Sequence, residues 1–356
     1  MIPLYKPYMS PELPELNNIL YSGNLSYGKW GKQFEQDLGD YIGNDQILTT
    51  NSYNSAMLVL LATLDIKFGD TIIASPMSCL ASNQPFASQG LNIIWSDIDP
   101  STGTLDPEQV RSLITKDVKA IFHNHFCGYV GYVDEINAIG KEYGIPIVDD
   151  AIEAFGSKYK NNMMGNLGSD CTIFSFETIR MPNCISGGAI VFKNKNLFKK
   201  AELVRDYGVE RKSFRDNLGE IKKENDINTV GFGALPNEMN SYIGSVHLRE
   251  LDLLLSKQNK NAHKWNRYFK NKDDSLSMLN LTDQSNPNYW VYGFFSNNKK
   301  NIISEMRLKG FYTSGVHMNN NNYSIFGDKI ELKGVKSFMK KFLAIPCGWW
   351  MDATPK

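Results

Sequence analysis

The sequence predicts an α/β protein with a large domain on a mostly parallel sheet flanked by helices, and a smaller α+β domain at the C-terminal end. Three observations predict it. Short apolar runs alternate with longer amphipathic segments between about residues 45 and 195. Such alternation joins parallel strands through helical crossovers. A long amphipathic segment starts near Asn237, and beyond about residue 258 the pattern changes to scattered strands and helices.

Each element follows from its own residues. Ile47 to Thr50, Thr71 to Ala74, Asn92 to Trp95, Ala120 to Phe122 and Ile145 to Val148 are apolar runs short enough for buried strands. Ala56 to Leu64 and Val133 to Tyr143 read as helices between them. Cys171 to Phe176 and Gly188 to Phe192 read as two more strands, in a hairpin or as neighbours. Arg211 to Asp226 is charged and without apolar periodicity, which predicts an exposed excursion or a mobile loop. Asn237 to about Lys257 reads as one long helix. Its stripe is Met239, Tyr242, Ile243, Val246, Leu253 and Leu254, broken at Arg249 and Glu250. Tyr289 to Phe295 reads as a strand, Ile302 to Lys309 as a helix and Phe342 to Ile345 as a last strand. The boundaries expected are 1–240 for the large domain and 241–356 for the interdomain helix and small domain. The N-terminal segment is free to pack on the small domain.

Composition narrows the function. Of 356 residues, 38 are acidic and 38 basic. That balance argues against a nucleic-acid binder or a polybasic membrane binder. No apolar run approaches the roughly 20 residues of a membrane span. The start Met1-Ile2-Pro3-Leu4-Tyr5 has no apolar leader core. The expectation is a soluble, cytoplasmic protein. The five cysteines (Cys79, Cys127, Cys171, Cys184 and Cys347) are widely spaced and odd in number, so reduced and mostly buried thiols are expected. No metal site is expected. His123 and His125 share a face if they lie on a strand, and that pairing reads as structural.

In α/β sheets, ligands gather at the carboxyl ends of strands. Val148-Asp149-Asp150-Ala151 closes one strand with two acids, and a helix N-cap is the plain alternative. Phe174-Ser175-Phe176-Glu177-Thr178-Ile179-Arg180, then Gly187-Gly188, follows another. "VDDAIEAFGSKY", "LGSDCTIFSFETIR" and "SGGAIVF" together resemble the DegT/DnrJ/StrS family of sugar aminotransferases. "YGKWGKQFEQDLGDYIG", "NSYNSAMLVLLATLDIKFGDTIIASP", "DIDPSTGTLDP", "HFCGYVGYVDEI", "RDYG", "NEMNSYIGSVHL" and "IPCGWW" follow the family's order over almost the whole chain.

The resemblance implies a fold-type I aminotransferase-like protein, a pyridoxal-type cofactor, a keto-sugar substrate that is nucleotide-linked, and a homodimer. It puts Asp150 at the partner of the cofactor's ring nitrogen and Ser175 at a phosphate contact. Arg180 stands where the family has its Schiff-base lysine. A guanidinium stays protonated, so it serves as neither nucleophile nor base. It suits an anion instead. Tyr53 and Asn54 replace a Gly-Thr at the phosphate helix, where Asn54 and Ser55 are still able to donate. Cys79 stands where an aromatic often stacks, Glu153 replaces a neutral Gln or His, Ser186 replaces a Glu, and Gly233 and Leu235 replace an Asn and an Arg. His317, Asn319 and Tyr323 fall near the family's sugar-binding edge, with an Asn-rich surface loop as the alternative. Trp349 and Trp350 read as packing or a dimer contact.

Three readings stay open. The first is a sugar-modifying enzyme holding pyridoxal or pyridoxamine phosphate non-covalently, with Glu153, Glu177, Tyr53 or His125 as base. The second is a cofactor-independent enzyme using Arg180 and Glu153 on an anionic substrate. The third is a non-catalytic homologue that binds a sugar nucleotide or pairs with an active partner.

Overall fold

A computed structural model describes residues 1–270 and 276–351. The last five residues of the predicted small domain, 352–356, lie outside the described residues. The main sheet has seven strands: β1 Ile47–Thr50, β2 Thr71–Ala74, β3 Asn92–Trp95, β4 Val118–Asn124, β5 Ile147–Asp150, β6 Cys171–Ser175 and β7 Gly188–Phe192. Their spatial order is β1-β7-β6-β5-β4-β2-β3. All pairs are parallel except those of β7, which runs antiparallel to both β1 and β6. Helices cover both faces, so β1, β5, β6 and β7 are buried along their whole length. Burial on both faces is why they read as unbroken apolar runs.

Several boundaries differ from expectation, and these have a local reason. β5 starts at Ile147 rather than Ile145, because Pro146 lacks an N–H to donate to a ladder. The strand therefore includes both acids. The first crossover helix, Tyr53–Thr63, starts three residues before Ala56, where Ser52 caps it by accepting from the Ser55 amide at 3.1 Å. The interdomain helix spans Glu238–Lys270 rather than ending near Lys257, because Ala262, Trp265 and Phe269 carry its buried face onward among polar neighbours. Leu254 is buried as expected, but Leu253, expected on the same stripe, is 61% exposed, and Leu251 turns inward instead.

The second sheet is antiparallel: β8 Leu276–Met278, β9 Tyr292–Ser296 and β10 Phe342–Ile345. β9 begins at Tyr292 and not Tyr289, whose φ of 54° interrupts an extended run. Helices Lys299–Leu308 and Lys333–Lys341 accompany it. The N-terminus packs here, with Ile2 bridging Phe311 and the Trp350 indole donating to Pro3 O at 2.9 Å. A small third sheet joins the hairpin Lys158–Tyr159 and Asn162–Met163 to Ser285–Asn286. The charged 211–226 stretch carries the short helix Arg211–Phe214 and a bridge between Arg215 and Ile221, and no side chain of that helix is buried. Among the described residues no helix is long and apolar enough to cross a membrane.

Candidate active site

The register of the sheet lines up the candidate residues. Asn124 lies beside Asp150, Asp150 beside Ile173, and Ser175 beside Gly188, all at one edge. Strand alternation sends the two acids of β5 to opposite faces. Neither caps a helix, which corrects that alternative.

Asp149 enters a closed histidine network. His123 Nδ1 and His125 Nε2 each lie 3.2 Å from its Oδ1, and the Ser169 hydroxyl donates to Oδ2 at 2.6 Å. The Gly131 amide donates to His125 Nδ1 at 3.0 Å, which leaves the His125 proton on Nε2, facing the carboxylate. The three side chains sit close enough together to suggest a metal site. His123 Nδ1, however, bonds Asp149 Oδ1, and His125 Nε2 faces the same oxygen at 3.2 Å without a hydrogen bond. A single Cβ added at Gly131 would stand 2.3 Å from His123 Nε2, so there is no space for an ion on that side.

Asp150 has both oxygens occupied by protein donors. Oδ1 accepts from the Tyr53 hydroxyl at 3.2 Å and the Ile152 amide at 3.3 Å, and Oδ2 accepts from the Ser78 hydroxyl at 2.8 Å. Burial pushes its carboxyl up, against the serine hydroxyls of Ser82 and Ser78. Burial, and then the Asp150 charge, push the Tyr53 phenol well above its ordinary range, so it stays a donor.

A second cluster surrounds Glu153. Its Oε1 is 2.8 Å from His317 Nε2 and 3.5 Å from Arg180 Nη1, and its Oε2 accepts from the Cys127 amide at 2.8 Å. Burial alone would raise this carboxyl. His317, Arg180 and the Cys127 amide outweigh burial and hold it below the usual range. Arg180 is 6% exposed, and its guanidinium lies over the Trp290 ring at 4.5 Å. Its Nε and Nη1 are buried without a hydrogen-bond partner. Tyr5, from the N-terminal segment, stacks on Trp290 with centroids 4.5 Å apart. Burial pushes up the thiols of Cys79 and Cys127, with Glu153 adding to both, so neither is a ready thiolate.

The remaining predicted residues are dispersed. Ser175 is buried at the end of β6, and its hydroxyl accepts from the Glu177 amide at 3.4 Å. Asn54 is exposed, while Ser55 spends its amide on the Ser52 cap. Glu177 accepts from the Ser186 hydroxyl at 3.2 Å. Asn319 bonds Asn321 at 2.6 Å, and Tyr323 is exposed. The Asn-rich run is also no free surface loop. Asn320 is fully buried, and its side chain donates to Pro76 O at 3.2 Å and Ser78 O at 2.8 Å. Of the three residues expected at the sugar-binding edge, only His317 reaches the Glu153 cluster. Tyr5, Ser78, Cys127 and Trp290 complete the site without a local sequence signal. Each is recruited by tertiary contact.

Residues 9–351 match the DegT/DnrJ/EryC1/StrS aminotransferase family. The chain belongs to that family. Among solved structures it resembles the sugar aminotransferase CalS13 from Micromonospora echinospora, at 25% identity and a TM-score of 0.91, over 99% of this chain and 96% of that one. It likewise resembles AtS13 from Actinomadura melliaura, at 25% identity and a TM-score of 0.92, over 100% and 96%. A GDP-4-keto-6-deoxymannose-3-dehydratase, solved with a trapped PLP-glutamate geminal diamine, shares the fold at 21% identity and a TM-score of 0.83, over 96% and 95%. The seven-stranded sheet with its helices is thus the fold-type I aminotransferase architecture.

Solved structures on this fold include one with a trapped PLP-glutamate geminal diamine and a putative sugar aminotransferase in PMP and PLP forms. The carboxylate and the serine at the strand ends are present. The donor set is otherwise wrong. Arg180 cannot form a Schiff base, and the buried Tyr53 phenol already donates to Asp150 Oδ1. The residues present do not fit pyridoxal phosphate held as a Schiff base at residue 180.

Proposed function

We propose that this chain recognises a nucleotide-linked keto-sugar in amino- or deoxysugar biosynthesis and acts on it without a pyridoxal cofactor. Family membership and the sugar aminotransferases among its structural neighbours support the substrate class. One observation carries the choice of cofactor-free chemistry: the buried Arg180 guanidinium, whose Nε and Nη1 make no hydrogen bond and whose Nη1 meets Glu153 only at 3.5 Å, beside His317. Unpaired buried donors cost free energy unless a ligand meets them. A sugar oxygen bearing negative charge would meet them.

The same cluster suits proton transfer beside a carbonyl. His317 gives Nε2 to Glu153, and its Nδ1 has no protein partner among the described residues. That nitrogen takes the proton from the carbon next to the keto group. The C–H electron pair moves into an enolate, whose oxygen Arg180 holds, and return of the proton restores the ketone. No oxidant or reductant is needed. The homodimer expected from the resemblance belongs to the same proposal, supported by exposed Leu218 and Ile221 on the charged excursion and by Tyr207 and Val230 on either side of it in the chain.

The test is incubation with a nucleotide-linked 4-keto-6-deoxysugar in deuterium oxide, followed by proton NMR. The proposal expects deuterium at the carbon beside the carbonyl, with the rate lowered about a hundredfold in His317→Gln and Arg180→Gln, as for a removed acid–base group. Saturable binding without exchange would overturn the catalytic reading and leave a non-catalytic sugar binder. Neither binding nor exchange would overturn the sugar reading altogether.

A further inference from the structure

We propose that Tyr53 is a built-in occupant of the place where relatives hold their cofactor ring, so that this chain excludes pyridoxal and pyridoxamine phosphates altogether. This goes beyond the sugar proposal and stands whichever sugar is bound.

Tyr53 is the first residue of the crossover helix, at the end where the resemblance expects a small glycine beside a phosphate. Its side chain does not turn to solvent. It is 2% exposed and belongs to the same buried cluster as Ile152, Phe86 and Phe122, against which Cys79 also packs. Its hydroxyl ends 3.2 Å from Asp150 Oδ1 and 3.4 Å from Ser82 Oγ. An aromatic ring therefore spans from the helix start to the carboxylate expected to face a ring nitrogen, and presents an O–H donor to it. The phenol does for Asp150 what a protonated pyridine nitrogen would do.

The backbone holds the ring there. A Cβ added at Gly188 would stand 2.8 Å from Ser52 O, 2.9 Å from Tyr53 Cα and 3.0 Å from Tyr53 N, so the helix start lies directly on β7 and has no room to retreat in that direction. Ser52 caps the Ser55 amide, which removes one donor a phosphate would use. Asp150 is satisfied without any ligand, so an entering ring would have to displace a wholly buried phenol and leave its hydroxyl to find a new partner. The departures at residues 53 and 180 then have one physical account. With the ring position filled by protein, a Schiff-base lysine has no aldehyde to meet, and Arg180 is free to serve an anion.

The experiment titrates the full chain with pyridoxamine phosphate, which has no aldehyde to react with surface lysines, using equilibrium dialysis and induced circular dichroism of the pyridine. Wild type and Tyr53→Phe, which keeps the ring, are expected to bind none at concentrations that saturate a control sugar aminotransferase. Tyr53→Gly is expected to bind one equivalent, with its fold checked by far-ultraviolet circular dichroism. Tyr53→Ala supplies a second opening should the glycine variant unfold. Stoichiometric binding by wild type would overturn the proposal, and so would folded Gly and Ala variants that still exclude the probe. Failure of the sugar proposal alone would leave these outcomes unchanged, because no sugar is present.

Discussion

Replacing Glu153 and replacing Arg180 should have unequal costs, although the two side chains form one ion pair. Glu153 is the centre of its cluster, with His317 and Arg180 on Oε1 and the Cys127 amide on Oε2. Glu153→Gln keeps the shape and one acceptor, so the amide contact survives. The charge is lost, and either the amide group turns a donor toward Arg180 and His317 or its oxygen abandons Cys127. Breaking a buried pair from one side costs about 3–5 kcal/mol, and with the retained acceptor and the long 3.5 Å arginine contact the expected loss is about 3 kcal/mol. Arg180→Met is the opposite case. It deletes a guanidinium whose Nε and Nη1 make no hydrogen bond, keeps apolar contact with Trp290, and leaves Glu153 bonded to His317 and Cys127. Removing one member of a buried pair is costly when it strands the other, but Glu153 keeps His317 and the Cys127 amide, so the loss should be only about 1 kcal/mol. Urea unfolding followed by circular dichroism at neutral pH measures both. If Arg180→Met costs as much as Glu153→Gln, Arg180 is a structural tie rather than a ligand group awaiting an anion, and the reasoning fails.

Further outcomes follow from other parts of the structure. Burial holds both His123 and His247 below the ordinary histidine value of 6.5, for His123 with the neighbouring His125 adding to it. The unfolded chain takes up protons near that value while the folded chain does not, so the stability they contribute is complete above about pH 6.5 and falls as the pH drops through it. The urea midpoint should therefore fall between about pH 7.5 and about pH 5.5, with a shallower fall in His123→Asn. Gly188→Ala forces a methyl against backbone atoms of Ser52 and Tyr53, which should cost about 1–3 kcal/mol by the same assay. An unchanged midpoint would show that the helix start can move off β7. Asn320→Ala removes two side-chain bonds to Pro76 and Ser78, so backbone amides of 316–326 should exchange hydrogen faster by mass spectrometry, at a cost of about 1–2 kcal/mol.

Much of the architecture was legible before the structure, for a physical reason. β1, β2, β3, β7 and β10 have the bounds their residues suggest; for β1, β7 and β10, burial along the whole strand leaves unbroken apolar runs. The misjudged boundaries are those set by single polar or backbone features: Pro146 before β5, the Ser52 cap, and the positive φ of Tyr289. The site was legible in part. Asp150 closes an apolar strand, and the family resemblance singled out Glu153 and Arg180 in the motifs beside it. Tyr53 was visible as a departure from glycine, but only the fold shows its ring buried against Asp150. Tyr5 and Trp290 come from segments distant in sequence, and no local pattern announces that they will stack. The Asn-rich run is polar in composition yet buried at Asn320, because its amide finds backbone carbonyls inside the protein.

The central claim is that this family scaffold works here without its pyridoxal cofactor. The most direct measurement is the vitamin B6 content of the protein as purified from cells grown with excess pyridoxine, with acid-released vitamers quantified by chromatography and borohydride-treated protein examined by peptide mass spectrometry. The account predicts no stoichiometric vitamer and no pyridoxyl adduct in the active-site segment 175–188. One equivalent of released pyridoxal or pyridoxamine phosphate would contradict it and return the chain to the cofactor-holding members of its family.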